Sequence, residues 1–161
     1  MAGNFIAHQS SLQALSEAPN FEGTDQDGRY LCLKDFTGKK LLLYFYPKDN
    51  TPACTATACS LRDDYNLLLE KGYAIVGVSA DPVKSHVKFA AKYSLPYPLI
   101  ADTEMKIIKA YDVWGSKMLF GRNYDGIVRT SFVIDEEGII KQVINEVNTK
   151  NHAQQLLPLE L

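Results

Sequence analysis

The sequence has little cysteine, almost no charge imbalance and no long apolar run. Its 161 residues include three cysteines, at positions 32, 54 and 59. Three are too few for a small secreted scaffold held together by disulfides, and an odd count leaves at least one thiol unpaired. The 17 basic and 19 acidic residues give a net charge of −2, which excludes the strongly basic footprint of a nucleic-acid-binding domain.

Segments for membrane insertion and export are also lacking. No stretch approaches the run of about 20 apolar residues that a membrane-spanning helix requires. Residues 1–9 contain neither a basic stretch nor a long apolar stretch, so a secretory signal is not expected. The sequence therefore predicts a cytoplasmic protein whose thiols are kept reduced.

Short apolar segments alternate with helical patterns along the whole chain. There is no internal repeat or linker, so one domain over residues 1–161 is expected. Asp27-Gly28 predicts the turn of an N-terminal hairpin over residues 21–33, and the apolar residues 41–46 predict a buried central strand. Further strands are predicted at residues 74–79, 97–101, 129–135 and 139–145.

Helices are predicted between these strands, at residues 54–71, 82–93, 103–111 and 149–157. Asp81 is expected to cap the second of them, with Pro82 as its first residue. Trp114 is interpreted as a core aromatic, and the apolar residues 118–120 fit either a partner-facing loop or a packed one. The element order predicts an α/β fold, with a central mixed sheet flanked by helices and an N-terminal β-hairpin.

The most informative segment is the start of the first predicted helix. Thr51 followed by Pro52 is typical of a helix N-terminus, with the hydroxyl as cap and proline at the first helical position. Cys54 is then the third helical residue, where unpaired amides and the helix dipole favour an anion. Cys54 is therefore expected to be a reactive nucleophile rather than an inert core thiol.

The helical pattern separates Cys54 from Cys59. Cys54 begins an apolar stripe with spacings of 4, 3, 4 and 3, whose other members are Ala58, Leu61, Tyr65 and Leu68. Cys59 has polar neighbours instead. Residues five apart on an α-helix are separated by about 9 Å between Cα atoms, whereas a disulfide needs about 4.4–6.8 Å. The two cysteines can bond only if the first helical turns unwind.

The remaining candidate residues carry weaker signals. Cys32 alternates with apolar neighbours as a strand residue does, and is expected to be an inert packed thiol. The spacing of the cysteines is not that of a zinc site, so no metal site is predicted. His8, His86 and His152 are interpreted as surface or capping residues, which leaves no Cys–His pair. The activating charge is expected from a basic residue, and Arg129, in an apolar strand, is a candidate.

Several segments resemble the peroxiredoxins. Pro47-x3-Thr51-x2-Cys54 is similar to their active-site signature, and a second cysteine five residues on resembles the Q-type subgroup, also called bacterioferritin comigratory protein. Residues 45–52, 113–115, 124–127 and 129–135 also resemble that subgroup, in the same order. The resemblance covers residues 18–152 and implies the thioredoxin-like fold of the family.

The resemblance implies roles for five residues. Cys54 matches the peroxidatic cysteine, which attacks the peroxide O–O bond. Thr51 matches the threonine that hydrogen-bonds the thiolate and the peroxide, and Pro47 matches the proline that shapes and shields the pocket. Arg129 matches the arginine that stabilises the thiolate and the developing charge. Cys59 matches the resolving cysteine, which forms an intramolecular disulfide with Cys54.

The resemblance further implies a thioredoxin-dependent, antioxidant peroxidase that reduces hydrogen peroxide and organic hydroperoxides. It implies no metal, haem or flavin cofactor, because sulfur is the redox centre. A monomer is expected, because both cysteines lie on one chain.

The subgroup usually has glycine where this sequence has Ala53, which puts the rate of peroxide reduction in question. If the residue has a negative φ, alanine is harmless there. Two other classes stay open: a thioredoxin-type protein disulfide oxidoreductase, although C-x-x-C is missing, and a non-enzymatic redox sensor.

Overall fold

The structure, a computed structural model, describes residues 5–160. Residues 1–4 and 161 of the predicted domain lie outside this range. In chain order, the strands within residues 5–160 are β1 Glu22–Thr24, β2 Tyr30–Cys32, β3 Lys40–Phe45, β4 Tyr73–Ser79, β5 Leu99–Ala101, β6 Trp114–Leu119, β7 Arg122–Ile127, β8 Thr130–Ile134 and β9 Ile140–Ile144.

A mixed five-stranded sheet occupies the centre of the described region, in the order β5-β4-β3-β8-β9. Strands β3, β4 and β5 run parallel, and β8 and β9 complete the sheet with antiparallel pairing. The sequence-based prediction of a mixed central sheet is therefore confirmed. Strand β3 lies in the middle because its residues are apolar on both faces.

Helices cover both faces of this sheet. Within residues 5–160 the α-helices are α1 Pro52–Asp63, α2 Tyr65–Glu70, α3 Val83–Tyr93, α4 Lys106–Ala110 and α5 His152–Leu156, and a short 3₁₀ helix spans Leu33–Phe36. Alternate side chains of β3 point to opposite faces of the sheet, so the core has two parts. On one face, Leu42 and Tyr44 pack with α1, α2, α3 and α5. On the other face, Leu41 and Leu43 pack with α4. In this described part, each helix is too short or too polar to cross a membrane.

The first predicted helix, residues 54–71, is two helices in the structure. The break falls at Asp64, whose φ of −107° and ψ of 19° leave the helical region. Aspartate has a low helix propensity because its side chain competes for hydrogen bonds. The apolar stripe continues across the break, since Leu61 and Leu68 are both buried, so periodicity alone does not reveal it. The predicted end at Gly72 is confirmed by its φ of 85°.

The other helices are shorter than predicted. Pro82 is extended (ψ 161°) and precedes α3, and Asp81 accepts hydrogen bonds from the Asp49 amide and the Ser79 hydroxyl instead of capping the helix. Met105 has a φ of 61°, so α4 begins after it rather than at residue 103. Helix α5 spans fewer residues than the predicted 149–157.

Two hairpins lie outside the central sheet. The hairpin β1–β2 was expected from Asp27-Gly28, and Gly28 has the positive φ that its turn needs. The hairpin β6–β7 was not predicted, because its two turn residues are Phe120 and Gly121 rather than the usual Asn-Gly. Both have positive φ, 50° and 76°. Trp114 lies on this hairpin and is 41% exposed, so its interpretation as a core aromatic was wrong.

Candidate active site

Cys54 lies in the first turn of α1, after the loop that follows β3. Thr51 is the N-cap residue and Pro52 the first helical residue, as predicted. The Cys54 side chain is 2% exposed and packs in the apolar cluster on this face of the sheet. Ala53 is exposed and in helical conformation, so alanine fits this position. The thiol is therefore buried at a helix N-terminus, where an anion is favoured.

Thr51 and Pro47 both lie on the loop that leads to Cys54. The Thr51 hydroxyl donates to the carbonyl of Lys48 at 2.8 Å rather than capping an amide of α1, so the predicted side-chain cap was wrong. Hydroxyls near a turn often bond a nearby carbonyl in this way. Pro47 is half-buried and lies two residues after β3. Both residues therefore lie on the loop between β3 and α1.

Arg129 is brought beside Cys54 by the pairing of β3 with β8. The antiparallel register places Thr130, the first residue of β8, opposite Phe45, the last residue of β3. Arg129 directly precedes Thr130, and its Nη2 donates to the Cys54 sulfur at 3.4 Å. Its Nη1 is buried and has no hydrogen-bond partner among residues 5–160. A guanidinium that lies beside a thiol and has an unpaired N–H donor is suited to hydrogen-bonding an oxygen atom bound next to the sulfur.

Lys117 is a second cation coupled to this site, and no local sequence pattern marks it. It lies half-buried on β6, where its Nζ donates to the carbonyl of Ile127 at 2.6 Å. Burial lowers its pKa and so does the charge of Arg129, while Cys54 opposes the shift. The pKa of Lys117 is therefore coupled electrostatically to both residues.

Cys59 lies further along α1 and is partly exposed. Burial raises the pKa of its thiol and Asp63 adds to this, while Arg62 opposes the shift. All three cysteines, which lie within the described residues, are free thiols. Cys32 is half-buried at the end of β2, on a hairpin separate from the central sheet. The helix holding Cys54 and Cys59 is intact, so their Cα atoms are about 9 Å apart.

The interpretation of the histidines as surface or capping residues was wrong for His86 and His152. Both are fully buried. The Nδ1 of His152 lies 2.6 Å from Gln155 Oε1 and its Nε2 lies 2.8 Å from the Ser131 hydroxyl. Burial lowers the pKa of His152 and the charge of Arg129 adds to this, while the hydrogen bond that His152 donates to the Gln155 side-chain oxygen opposes the shift. A neutral His152 therefore supports β8 close to Arg129.

His86 belongs to a buried network that fastens the loop before Cys54. Its Nδ1 lies 2.7 Å from Asp49 Oδ2, and its Nε2 donates to the Ile100 carbonyl at 3.0 Å. The hydroxyls of Tyr46 and Ser85 also donate to Asp49, at 2.6 and 2.7 Å. Burial acts to raise the pKa of Asp49, but the hydrogen bonds from His86, Tyr46 and Ser85 outweigh it and lower that pKa. An ionised Asp49 thus anchors the loop that carries Pro47 and Thr51.

Asp49, Asp81 and His86 have side-chain ligand atoms within 4.8 Å of one another, a spacing that also suits a metal ion. All three side chains are already engaged in hydrogen bonds, however. Asp81 Oδ2 accepts from the Asp49 amide and the Ser79 hydroxyl, both at 2.8 Å. We therefore interpret this cluster as a structural network behind the site.

Comparison with known proteins assigns the chain to one family. Residues 15–143 match the AhpC/TSA family. The putative peroxiredoxin bcp of Coxiella burnetii is 42% identical over 147 residues, which are 91% of this chain and 97% of that protein. Peroxiredoxin Bcp of Escherichia coli K12 is 42% identical over 141 residues, 88% of this chain and 90% of that protein.

Solved structures give the same result. A peroxiredoxin Q of Xanthomonas campestris has a TM-score of 0.82 at 33% identity, covering 89% of this chain and 94% of that one. Peroxidoxin BcpB of Mycobacterium tuberculosis has a TM-score of 0.79 at 31% identity, covering 93% and 95%. The expected thioredoxin-like fold is therefore confirmed. The chain belongs to the AhpC/TSA family and is a thiol peroxidase of its peroxiredoxin Bcp or Q-type group.

Proposed function

We propose that Cys54 reacts with the peroxide and that Cys59 resolves the product, so that one chain completes the cycle. The observation that carries this assignment is the 3.4 Å contact from Arg129 to the Cys54 sulfur at a helix N-terminus. Positive groups in this position favour the thiolate, which is the nucleophilic form of cysteine.

In the first step, the Cys54 thiolate attacks one oxygen of the peroxide. An S–O bond forms as the O–O bond breaks, and the leaving oxygen takes a proton and departs as water or an alcohol. Cys54 becomes a sulfenic acid. Arg129 Nη1 and the amide of Cys54 would donate to the oxygen on which charge develops. Thr51 and Pro47 would line the approach from the preceding loop.

In the second step, α1 unwinds from its N-terminus and the Cys59 sulfur attacks the Cys54 sulfur. The S–S bond forms, the S–O bond breaks, and the oxygen leaves as water. Unwinding must come first, because the intact helix holds the Cα atoms about 9 Å apart. Thioredoxin or a similar dithiol then reduces the disulfide by thiol–disulfide exchange.

The same assignment leads us to propose a monomeric enzyme acting in the cytoplasm. Both cysteines lie on one helix, so the cycle needs no residue from a second chain. A resting state with three free thiols fits a reducing compartment. Hydrogen peroxide and organic hydroperoxides are the substrates we propose.

The assignment is tested by adding one equivalent of hydrogen peroxide and mapping the disulfide by mass spectrometry, alongside a coupled assay with thioredoxin. We expect a Cys54–Cys59 bond and peroxide-dependent oxidation of thioredoxin. Reduction of insulin disulfides without peroxide consumption would instead indicate a protein disulfide oxidoreductase. A peroxide rate no faster than that of a free thiol would indicate a redox sensor.

Arg129→Gln is expected to slow the reaction of Cys54 with hydrogen peroxide by about a hundredfold or more, the typical effect of removing one preorganised donor. The rate is measured by stopped-flow mixing. Arg122→Gln, at an exposed position on β7, is the matched control and should react as the wild type does. A rate for Arg129→Gln within threefold of wild type would contradict the proposed role.

A further inference from the structure

Helix α1 is anchored unequally along its length. Within the described residues, its first half, residues 52–57, receives one hydrogen bond from outside the helix, the 3.4 Å contact from Arg129 to Cys54. Residues 58–64, the second half of α1 and the residue after it, are tied by four hydrogen bonds to the end of α3, to the connection before β5 and to α5. These run from Tyr97 to Ala58, from Arg62 to Tyr93, from Ala153 to Ser60 and from Gln154 to Asp64.

The deepest of these ties comes from Tyr97, which lies two residues before β5 and is buried. Its hydroxyl donates to the Ala58 carbonyl at 3.0 Å. The hydroxyl of Tyr44, on β3, lies 3.0 Å from the Tyr97 hydroxyl and donates to it, since the Tyr97 proton is already used. Burial raises the pKa of Tyr97 well above its ordinary value, so the donor persists across the working pH range. The Ala58 carbonyl, which directly precedes Cys59, is therefore linked through Tyr97 and Tyr44 to strand β3 of the central sheet.

Formation of the Cys54–Cys59 bond requires residues between them to leave the helix. The carbonyl of an N-cap residue still accepts the first helical hydrogen bond. If α1 shortens to begin after Ala58, the Ala58 carbonyl keeps both the amide of Arg62 and the hydroxyl of Tyr97. Ala58 is thus a natural stopping point for unwinding.

Oxidation of Cys54 weakens the hydrogen bond from Arg129 that anchors the first half of α1. Cys54 as a thiolate accepts a charge-assisted hydrogen bond from Arg129, whereas a sulfenic acid is neutral. Oxidation therefore loosens residues 52–57 and leaves the ties of residues 58–64 unchanged. Because residues 52–57 lose their anchor and residues 58–64 keep theirs, Cys54 moves in the resolving step and Cys59 stays in place.

We propose that Tyr97 is a positioning residue for the resolving step, which holds Ala58 so that unwinding is confined to residues 52–57 and Cys59 stays in place. The proposal rests on the proposed function of Cys54 and Cys59. The step balances within the chain: the two sulfurs bond, the S–O bond of the sulfenic acid breaks, and the oxygen leaves as water with the Cys59 proton.

The first test compares the double variant Tyr44→Phe/Tyr97→Phe with Tyr44→Phe alone. The double variant removes the Tyr97–Ala58 bond without leaving the Tyr44 hydroxyl buried and unpaired, while the single variant keeps that bond. Rapid quenching and mass spectrometry give the rates of sulfenic acid and disulfide formation separately. We expect the double variant to form the sulfenic acid at the wild-type rate and the disulfide about three- to tenfold more slowly, the factor that one net hydrogen bond supports.

The second test uses hydrogen exchange on the oxidised wild type and needs no variant. The amides of Arg62 and Asp63, which bond residues 58 and 59 in the helix, should stay protected, while those of Ala56 and Thr57 should exchange faster than in the reduced protein. Loss of protection at Arg62, or a double variant that resolves as fast as wild type, would overturn the role of Tyr97. Absence of a Cys54–Cys59 disulfide in the wild type would instead overturn the proposed function itself.

Discussion

Replacing Cys54 with serine is expected to abolish peroxide consumption. Serine is nearly isosteric and leaves the hydrogen bond from Arg129 available, but its hydroxyl stays protonated at neutral pH and is a far weaker nucleophile. Loss of a catalytic nucleophile costs at least about 10⁴-fold in rate. Peroxide remaining with time, measured under excess thioredoxin and its reductase, should follow the uncatalysed decay.

Cys32→Ser is the matched control for this variant, because it removes a half-buried thiol on the hairpin β1–β2, away from α1. It should retain wild-type turnover and leave Cys54 as the reacting thiol. Circular dichroism of both variants verifies that the overall fold is retained. Peroxide reduction above background by Cys54→Ser would show that another thiol performs the chemistry.

Most of the central sheet could be predicted from the sequence because its strands are short, apolar and separated by clear turn residues. Residues 41–46 and 74–79 contain few polar side chains, and strands of this kind are buried on both faces. The hairpin β6–β7 escaped prediction because Phe120 occupies a left-handed position that is usually held by asparagine or glycine. Its segments also lack a regular alternation of apolar and polar residues in the sequence.

The position of Cys54 at a helix N-terminus could be predicted because Thr51-Pro52 is a local signal. Arg129 stood out because a charged residue within an apolar segment needs a partner. Lys117 and Tyr97 could not be found in this way, since their contacts depend on strand pairing and on residues far away in the chain. The same holds for His86, whose burial is explained only by Asp49, 37 residues earlier.

Replacing Cys59 with serine is expected to leave the first reaction with peroxide intact and to stop turnover. One equivalent of peroxide should be consumed at close to the wild-type rate, because Arg129 and the first turn of α1 are unchanged. Without a resolving thiol, the Cys54 sulfenic acid cannot form the intramolecular disulfide that thioredoxin reduces, and excess peroxide should convert it to the sulfinic acid.

The measurement follows thioredoxin oxidation over time, with the oxidation state of Cys54 read by mass spectrometry after each equivalent of peroxide. Steady-state thioredoxin oxidation should fall by at least about a hundredfold relative to Cys32→Ser, which keeps both reacting thiols. Full turnover by Cys59→Ser would contradict the assignment and leave Cys32 as the one other resolving thiol in the chain. Cys32→Ser/Cys59→Ser would then have to lose activity. Because only unwinding brings Cys54 within bonding distance of Cys59, the wild-type disulfide rate should also report how readily the first half of α1 opens.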